Sequence, residues 1–241
     1  DTGTSWPSAS PVAYPVKGPE VSLAHSVWLD DADLDMLAES DSRVVHNPAS
    51  NLRIGSGFAP IIEMLERGIT VALGTDGSAS SDNQIMFDAM KLAALIHNLR
   101  STDHRRWPSS RDVVRMATAN GAAALGMEDD LGELRPGKLA DVVLLDTNTL
   151  LLTPFNDAFR HLCYAENGSS VHSVIVDGRL VVEGGRVLTA DEESIAAEAR
   201  DAWQRMYREL PGLREKTEPL VREFELYQQE MINRDFYLNR Y

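Results

Sequence analysis

The sequence predicts an α/β fold built on a parallel sheet, and three observations lead to this prediction. Within the first hundred residues, short apolar runs alternate with amphipathic stretches in the order strand, helix, strand, helix, strand, helix. The strand ends are spaced as consecutive βα units require. Each strand runs into a polar group, at His25, in the segment 46–51 and at Asp76. Because the carboxyl ends of parallel strands share one edge, we expect these polar groups to lie together.

The first βα unit follows an irregular lead-in. Residues 1–20 carry four prolines together with glycine and serine, which excludes a helix or a regular central strand. The run 21–24 predicts a short strand that ends at His25. The stretch 30–39 combines apolar residues with acidic ones at helical spacing, so we expect a helix there.

The second unit has the same order. The run 44–46 predicts a strand, and the polar segment 47–51 predicts a loop at its end. A helix is predicted over 60–67, because it begins at a proline, carries buried-type apolar residues and is closed by Gly68.

The third unit contains the most informative segment of the chain. The apolar run 69–74 predicts a buried strand, and Asp76 follows it in a loop of small residues. Such a loop leaves room for a ligand or a metal ion beside the carboxylate. Alternatively, Asp76 is the N-cap of the helix that follows, in an ordinary turn between strand and helix. A longer helix is predicted over 85–98 from its apolar face.

The pattern changes beyond residue 110. Two short helices are predicted at 111–116 and 121–125, with a break near residues 120–121. A turn around residues 136–137 and an Asp-Gly pair at 177–178 then indicate a small antiparallel β-subdomain. Its predicted strands are 141–145, 171–176, 180–182 and 186–188.

The remainder of the chain is predicted to be helical. The segment 189–192 resembles a capping box and opens a helix that we expect to run to about Leu210. Residues 211–212, a Pro-Gly pair, are expected to end it. The tail from 213 onward is rich in Glu, Arg and Tyr, and we assign it packing rather than chemistry.

Composition and charge exclude several classes of protein. No apolar run approaches the ~20 residues of a membrane span, and the first residues lack the basic and apolar regions of a signal peptide. A formal net charge of −14 disfavours binding to nucleic acid or to an anionic membrane. Cys163 is the only cysteine, which excludes an internal disulfide and makes a reducing cytoplasm the expected location. Its neighbours indicate a half-buried helix rather than an activated thiol.

Five segments, in order and at suitable spacings, resemble motifs of amidohydrolase-superfamily deaminases. The resemblance is strongest to the branch of methylthioadenosine/S-adenosylhomocysteine deaminases and s-triazine hydrolases. The first three segments resemble the ends of that family's sixth, seventh and eighth strands, and the last two resemble its link back to a β-sandwich. The segments are 23–29 (LAHSVWL), 46–51 (HNPASN) with 55–57 (GSG), 74–77 (GTDG), 116–126 (MATANGAAALG) and 131–141 (LGELRPGKLAD).

The resemblance implies a fold and a domain organisation. It implies the last strands of a (β/α)8 barrel, part of a small β-sandwich subdomain and carboxyl-terminal helices. The implied divisions are a lead-in at 1–20, the barrel part at 21–130, the β-sandwich segment at 131–190 and the helices at 191–241.

The resemblance also implies a chemistry. Such a barrel holds one divalent metal ion, zinc or iron, which activates a water to attack a ring carbon and expel ammonia. Asp76 would ligate the metal and take the proton of the water, and His25 would hydrogen-bond that water or the developing oxyanion. The implied substrate is a small purine-, pterin- or triazine-like heterocycle. The residue types suit these roles, because a carboxylate accepts protons and an imidazole stabilises negative charge.

Other polar residues near these motifs have open roles. His25 could instead be a cap that faces solvent. His46 and Asn51 are expected to brace the loop rather than to bind a ligand. Ser78 and Ser80 either line the pocket or cap the next helix.

One departure from the family pattern is large. The family binds its metal chiefly through a His-x-His pair on the first strand and a histidine on the fifth, and none of the six histidines here supplies them, because His25 is the first. His97 and His104 are expected to lie on the surface. The chain is therefore predicted to be a carboxyl-terminal part that binds metal only when the missing ligands are supplied. We expect it to be unstable alone or to associate, as a homodimer or with a complementing amino-terminal half.

Two other functions remain open. The chain could be a non-catalytic remnant that serves in binding or oligomerisation. It could also be an unrelated nucleotide-binding module in which the loop 74–80 cradles a phosphate, although it lacks the glycine signatures of such loops.

Overall fold

The computed structural model describes residues 18–232, so most of the predicted lead-in and the last nine residues lie outside the described part. Within that part, the first sheet contains three parallel strands: β1 (Ser22–Ala24), β2 (Arg43–His46) and β3 (Val71–Leu73). Their spatial order is the same as their order in the chain, and helices connect them. The predicted α/β class with a parallel sheet is therefore confirmed.

Seven helices accompany this sheet in the described part of the chain. They are α1 (Asp31–Ser40), α2 (Pro48–Arg53), α3 (Ile61–Glu66), α4 (Ser78–Ser81), α5 (Met86–Ile96), α6 (Ser110–Ala117) and α7 (Ala119–Ala124). Short 3-10 turns follow α5 at His97–Leu99 and His104–Arg106. The prediction of a loop over 47–51 was wrong, because Pro48 stands at the first helical position and its fixed φ favours the start of α2.

The ends of α1 and α3 have clear chemical causes. Asp30 caps α1, since its side chain accepts from the backbone N–H of Asp33 while the Asp33 side chain accepts from that of Asp30. After α3 the chain turns at Gly68, whose φ of 73° favours glycine. Both boundaries agree with the sequence prediction to within a residue or two.

The core lies between the parallel sheet and its helices. Val44 and Val71 on the strands are completely buried, and they belong to one cluster with Leu34 of α1, Met64 of α3 and Val113 of α6. Each such side chain stabilises the fold by about 1.5–3 kcal/mol relative to its exposed state. The strand end that carries Asp76 is therefore anchored on a packed base.

The break between α6 and α7 lies at Thr118, not at residues 120–121 as predicted. Thr118 has φ −125° and ψ −93°, and its hydroxyl donates to the carbonyl of Val114. Asn120 lies inside α7, where its side-chain amide donates to the backbone carbonyl of Val71 at 2.8 Å. A polar residue that reads as a helix breaker thus ties α7 to β3.

A second, antiparallel sheet confirms the predicted β-strands. Its strands lie in the order β4 (Val142–Leu145), β5 (Val171–Val176), β6 (Arg179–Glu183) and β7 (Arg186–Val187). Asp177 and Gly178 connect β5 to β6 with φ values of 48° and 74°, which is the geometry that favours an Asp-Gly hairpin. Between β4 and β5, helix α8 (Ala158–Arg160) continues into a π-helical turn at His161–Ala165.

The last described element is a single helix, α9 (Glu192–Ile232). Its N-cap is Asp191, which accepts from the backbone N–H groups of Glu193 and Ser194, so the assignment of the cap to residue 189 was wrong. The expected end at residues 211–212 was also wrong. The helix continues through Pro211 and Gly212, although the proline removes an N–H donor and its ring crowds the preceding turn. Among residues 18–232, no helix has the length and apolarity that crossing a membrane requires.

Candidate active site

The carboxyl edge of the parallel sheet brings together the residues that the sequence singled out. His25 follows β1 directly, His46 is the last residue of β2, and Asp76 comes shortly after β3. The Nε2 atom of His25 lies 3.7 Å from Oδ2 of Asp76. Both side chains remain about one-third exposed, at 39% and 33%. Two residues that are 51 positions apart therefore share one open site.

The backbone at this edge is unusual. His25, Ser26 and Asp76 have φ values of 65°, 50° and 58°, in the left-handed region that non-glycine residues rarely adopt. The N–H of His25 still donates to the carbonyl of Val45, so the sheet ladder extends to the point where the chain turns. Such conformations cost on the order of 1–3 kcal/mol and cluster at functional sites. Here they turn both side chains toward the same opening.

Asn51 on α2 holds the imidazole of His25. Its Oδ1 atom lies 2.8 Å from Nδ1 of His25, and its side chain is almost completely buried. An amide oxygen only accepts, so the hydrogen lies on Nδ1 and the neutral ring presents the lone pair of Nε2 to Asp76. Only the doubly protonated ring can therefore donate a hydrogen bond from Nε2.

Neighbouring polar groups lower the pKa of Asp76. The largest cause is the nearby hydroxyl of Ser50, followed by the backbone N–H of Gly77 and the hydroxyl of Ser80. The Gly77 N–H donates to Oδ1 at 2.8 Å. Asp76 does not cap α4, because the N-cap is Gly77 and no side chain bonds there. The carboxylate is thus available to a ligand at neutral pH.

Gly74 allows the ends of β2 and β3 to approach closely. Its N–H donates to the carbonyl of His46 at 2.9 Å. A Cβ atom at this position would overlap Oδ1 of Asn47 and would lie 3.0 Å from Cγ1 of Val45. The side chain of Asn47 is held in place by its own hydrogen bond to the carbonyl of Val45. The glycine is therefore a packing requirement of the site edge.

Two histidines behind this edge form a buried pair. The Nε2 atoms of His46 and His97 lie 3.1 Å apart, and both side chains are completely buried. Burial lowers the pKa of His97 to about 4, with Arg100 as the next cause. Burial also lowers the pKa of His46, and the neighbouring His97 adds to this effect. Both rings are neutral at pH 7, so one Nε2–H donates to the other ring.

The surface position expected for His97 was therefore wrong. The helix α5 buries Met90, Ala93 and Ala94, and His97 continues this spacing at the end of the same face. That spacing is the sequence signal that could have placed His97 in the core. His104 is exposed, as predicted.

The lone thiol does not take part in this site. Cys163 is completely buried, and burial raises its pKa to about 11. Its Sγ lies 3.2 Å from the carbonyl of Ser110. The thiol therefore has a packing role.

The residues present do not make a metal centre by themselves. In the chain from 18 to 232, no three His, Cys, Asp or Glu side chains are grouped so that they could hold a metal ion. A catalytic zinc site takes three protein ligands, and this edge offers one free carboxylate and one imidazole whose Nδ1 is occupied. An open cavity of about 330 Å³ lies beside it and includes Thr75, but neither His25 nor Asp76 lines it.

Comparison with known sequences places these features among related proteins. The sequence model described as the amidohydrolase family matches residues 9–181. A 5′-deoxyadenosine deaminase of Methanosarcina mazei is 45% identical over 185 residues, which cover 77% of this chain and 42% of that protein. A 5-methylthioadenosine/S-adenosylhomocysteine deaminase of Syntrophobacter fumaroxidans is 43% identical over 183 residues, covering 76% and 42%. The chain thus spans less than half the length of these relatives.

Solved structures of an adenosine deaminase and of an atrazine chlorohydrolase are also similar to this chain. An adenosine deaminase from Xanthomonas campestris with bound zinc superposes with a TM-score of 0.77 at 30% identity, covering 79% of this chain and 43% of that one. An atrazine chlorohydrolase from Arthrobacter aurescens, complexed with zinc, gives a TM-score of 0.72 at 34% identity, covering 76% and 41%. At these sequence identities the two structures are related to this chain in sequence as well as in fold.

Proposed function

Because the chain belongs to the amidohydrolase family, we propose that its residues 21–130 supply the last three strands of a (β/α)8 barrel in a metal-dependent deaminase. In this proposal, residues 131–190 form part of a β-sandwich subdomain, and the helical segment from 191 follows it. The parallel order of β1, β2 and β3 supports the assignment, since consecutive barrel strands pair in this way. The other strands belong to a part of the enzyme outside this sequence.

The single observation that carries the proposal is the approach of His25 to Asp76 at the carboxyl edge, where Nε2 and Oδ2 are 3.7 Å apart. In barrel enzymes this edge carries the active site. A carboxylate and an imidazole this close can both hydrogen-bond one water molecule on the open side of the site. Their convergence from two separate strand ends supports a reaction site rather than two independent caps.

The proposed reaction is hydrolytic release of ammonia from a ring carbon that bears an amino group. Asp76, ionised because of its lowered pKa, accepts a proton from the attacking water as the carbon–oxygen bond forms. As the carbon–oxygen bond forms, the π-electron pair of the ring carbon–nitrogen double bond moves onto the ring nitrogen, and it returns to re-form that bond when the amino group leaves. Nε2 of His25 hydrogen-bonds the attacking oxygen and orients it. The carbon–nitrogen bond then breaks, and ammonia leaves with the proton that Asp76 held.

We propose Asp76 as one ligand of a divalent metal ion, with zinc as the first candidate because the two neighbouring structures hold zinc. The remaining ligands must come from outside the described residues, since these contain no further group that could complete the site. The metal is therefore expected to bind only to the complete enzyme.

The proposed substrates are small aminated heterocycles. The relatives are named for 5′-deoxyadenosine, methylthioadenosine and S-adenosylhomocysteine, so purine nucleosides with a modified 5′ position are the first compounds to test. Triazines are the second class, because a triazine-acting neighbour is similar in structure.

Substitution of the two residues in the complete enzyme tests the proposal. Asp76→Asn is expected to lower kcat/KM for 5′-deoxyadenosine by at least about 10²–10⁴-fold, because the proton acceptor is lost. Asp82→Asn is the matched control, since Asp82 is exposed, has a positive φ that asparagine tolerates, and pairs only with Arg53 on the surface. The rate of ammonia release from 5′-deoxyadenosine measures the activity of both variants. Equal activities of the two variants would refute the assignment of Asp76.

A non-catalytic binding module is the second candidate, and the incomplete ligand set of the described residues favours it. The two proposals differ in one result. If the complete enzyme contains zinc and releases ammonia, the module is excluded; if it folds without either property, the module is supported.

A further inference from the structure

The helix α9 exposes most of its apolar side chains over residues 192–229. It has 41 residues, which corresponds to about 60 Å. From residue 192 to 229 every side chain is exposed except that of Leu210, which is half-buried. An isolated helix is marginal in water, and most helical stability comes from packing an apolar face. The exposed face of α9 therefore indicates a surface that a partner covers.

The apolar side chains of α9 recur with a seven-residue period. When the helix is written in heptads with positions a to g, these side chains fall at positions a and d. Position a is occupied by Trp203, Leu210, Thr217 and Phe224. Position d is occupied by Met206, Leu213, Leu220 and Tyr227. We call these eight residues the seam. Seven of the eight are apolar or aromatic over four consecutive heptads, which is the pattern of a coiled coil.

The seam is accessible to a partner. Leu220 is 66% exposed, Phe224 63% and Trp203 53%. These values are high for large apolar side chains. The exposed large apolar side chains of α9 lie on the seam or at the flanking e and g positions, except Leu226 at position c. The rest of the described chain therefore leaves the seam uncovered.

The two prolines inside α9 do not interrupt the seam. Pro211 occupies heptad position b and Pro219 position c, both on the face opposite positions a and d. A helix that packs on the seam therefore meets neither ring. The missing N–H groups of the prolines also lie toward solvent, where water can satisfy the unpaired carbonyls.

The charges beside the seam are complementary to a second copy of the same helix. In a parallel, in-register pair, position g of one helix faces position e of the next heptad on the other. Glu209 at g then faces Arg214 of the partner subunit, and the pair occurs twice by symmetry. No g–e pair over residues 195–228 brings like charges together; Lys216, for example, faces the apolar Val221.

We propose that α9 pairs with α9 of a second copy of this chain in a parallel, in-register two-stranded coiled coil. The polar Thr217 at one central a position lies opposite its own copy in this register, and its hydroxyl is satisfied within its own helix, where it donates to the carbonyl of Leu213 at 3.0 Å. The interface is separate from the edge that carries His25 and Asp76. The dimer therefore does not depend on the proposed function.

The molar mass of the full chain tests the dimer. Size-exclusion chromatography with light scattering, at tens of micromolar protein, is expected to give twice the 26.6 kDa of one chain. The double variant Leu213→Glu/Leu220→Glu places like charges across the seam and is expected to be monomeric. The control Ser194→Glu/Gln204→Glu adds the same two charges at positions f and b on the outer face, and it should remain dimeric.

Two results would overturn the proposal. A monomeric native chain at this concentration contradicts it outright. A dimer that persists in the seam variant shows that another surface forms the interface. Circular dichroism accompanies the measurement, because loss of α9 with dimerisation is expected whereas loss of the β-sheets is not.

A cysteine pair tests the orientation independently. In the parallel register, Tyr227→Cys at position d brings two thiols together near the carboxyl end of α9, and mild oxidation is expected to link the chains. Glu225→Cys at the outer position b should not link, and neither should the native chain, because Cys163 is buried. Linking of Glu225→Cys but not of Tyr227→Cys, or of neither variant, contradicts the parallel seam.

Discussion

At the scale of single residues, the hydrogen bond from His25 to Asn51 decides what the imidazole can do. With Nδ1 held by the amide oxygen, the second nitrogen points to Asp76 and to the open site. The neutral ring therefore presents Nε2 as an acceptor to the open site. Asn51 thus acts as a positioning residue, a stronger role than the general bracing of the loop that the sequence predicted.

The role of Asn51 can be measured through the tautomer of His25. In the native chain, nitrogen-15 shifts of the ring are expected to show the hydrogen on Nδ1, because the amide oxygen accepts it. Asn51→Leu removes the acceptor and should shift the tautomer population toward Nε2–H. Asn148→Leu, at an exposed position, is the control and should leave the ring signals unchanged. A native His25 with its hydrogen on Nε2 would contradict this account.

The buried pair of His46 and His97 predicts sensitivity to acid. Both folded pKa values are lowered, to about 4 for His97, whereas an unfolded histidine titrates near ~6.5. The unfolded state therefore binds more protons below pH ~6.5. The free energy of unfolding is expected to be highest above that pH and to fall by about 1.4 kcal/mol per pH unit for each histidine toward pH 4.

Urea unfolding between pH 7.5 and pH 5 checks this expectation. His97→Gln should be less stable at pH 7.5, because it breaks the pair, and should lose less stability on acidification, because it removes a titrating group. His104→Gln changes an exposed histidine and should keep the native pH slope. A slope that His97→Gln leaves unchanged would be evidence against the neutral pair.

The sequence indicated His25 and Asp76 because each follows an apolar run directly, and such positions are visible without a structure. It could not reveal that Asn51 reaches His25, since that contact depends on how α2 is oriented. It also missed His97, because a histidine at the end of an amphipathic helix reads as exposed unless the spacing of the buried residues is followed to the last turn.

At the scale of elements, the junction of β2 and β3 depends on the absence of a side chain at Gly74. Gly74→Ala is expected to destabilise the fold by about 1–3 kcal/mol, because its Cβ meets Asn47 and Val45. Gly77→Ala is the matched control, since its φ of −82° suits alanine and a Cβ there contacts nothing within 4 Å. Thermal unfolding of both variants measures the difference. Equal losses would show that Asn47 moves aside without cost.

The strands were predictable because each is a short apolar run between polar segments, and the hairpin was predictable from its Asp-Gly pair. Helix boundaries were harder to predict where a residue is compatible both with a helix and with a loop or break. Pro48 reads as part of a loop but begins α2, and Asn120 reads as a breaker but bonds to Val71 across the core. Pro211 reads as an end, although α9 continues through it.

At the scale of the whole molecule, the resemblance read from five motifs is confirmed by the family match and by the related deaminases and triazine hydrolase. The alternative of an unrelated nucleotide-binding module was wrong. The cytoplasmic location, the metal and the association with a complementing half stay predictions. For the metal, sequence could not decide the matter, because the described residues hold no group of three side chains that could bind it.

We propose that His25 and Asp76 form one part of a zinc-dependent deaminase site whose other ligands lie outside the described residues 18–232. The most direct measurement is the zinc content and the ammonia release of the 241-residue chain alone after dialysis, beside the complete enzyme. We expect far less than one zinc per isolated chain and no turnover, with one zinc and turnover in the complete enzyme. One tightly held zinc per isolated chain, together with release of ammonia from 5′-deoxyadenosine, would contradict it.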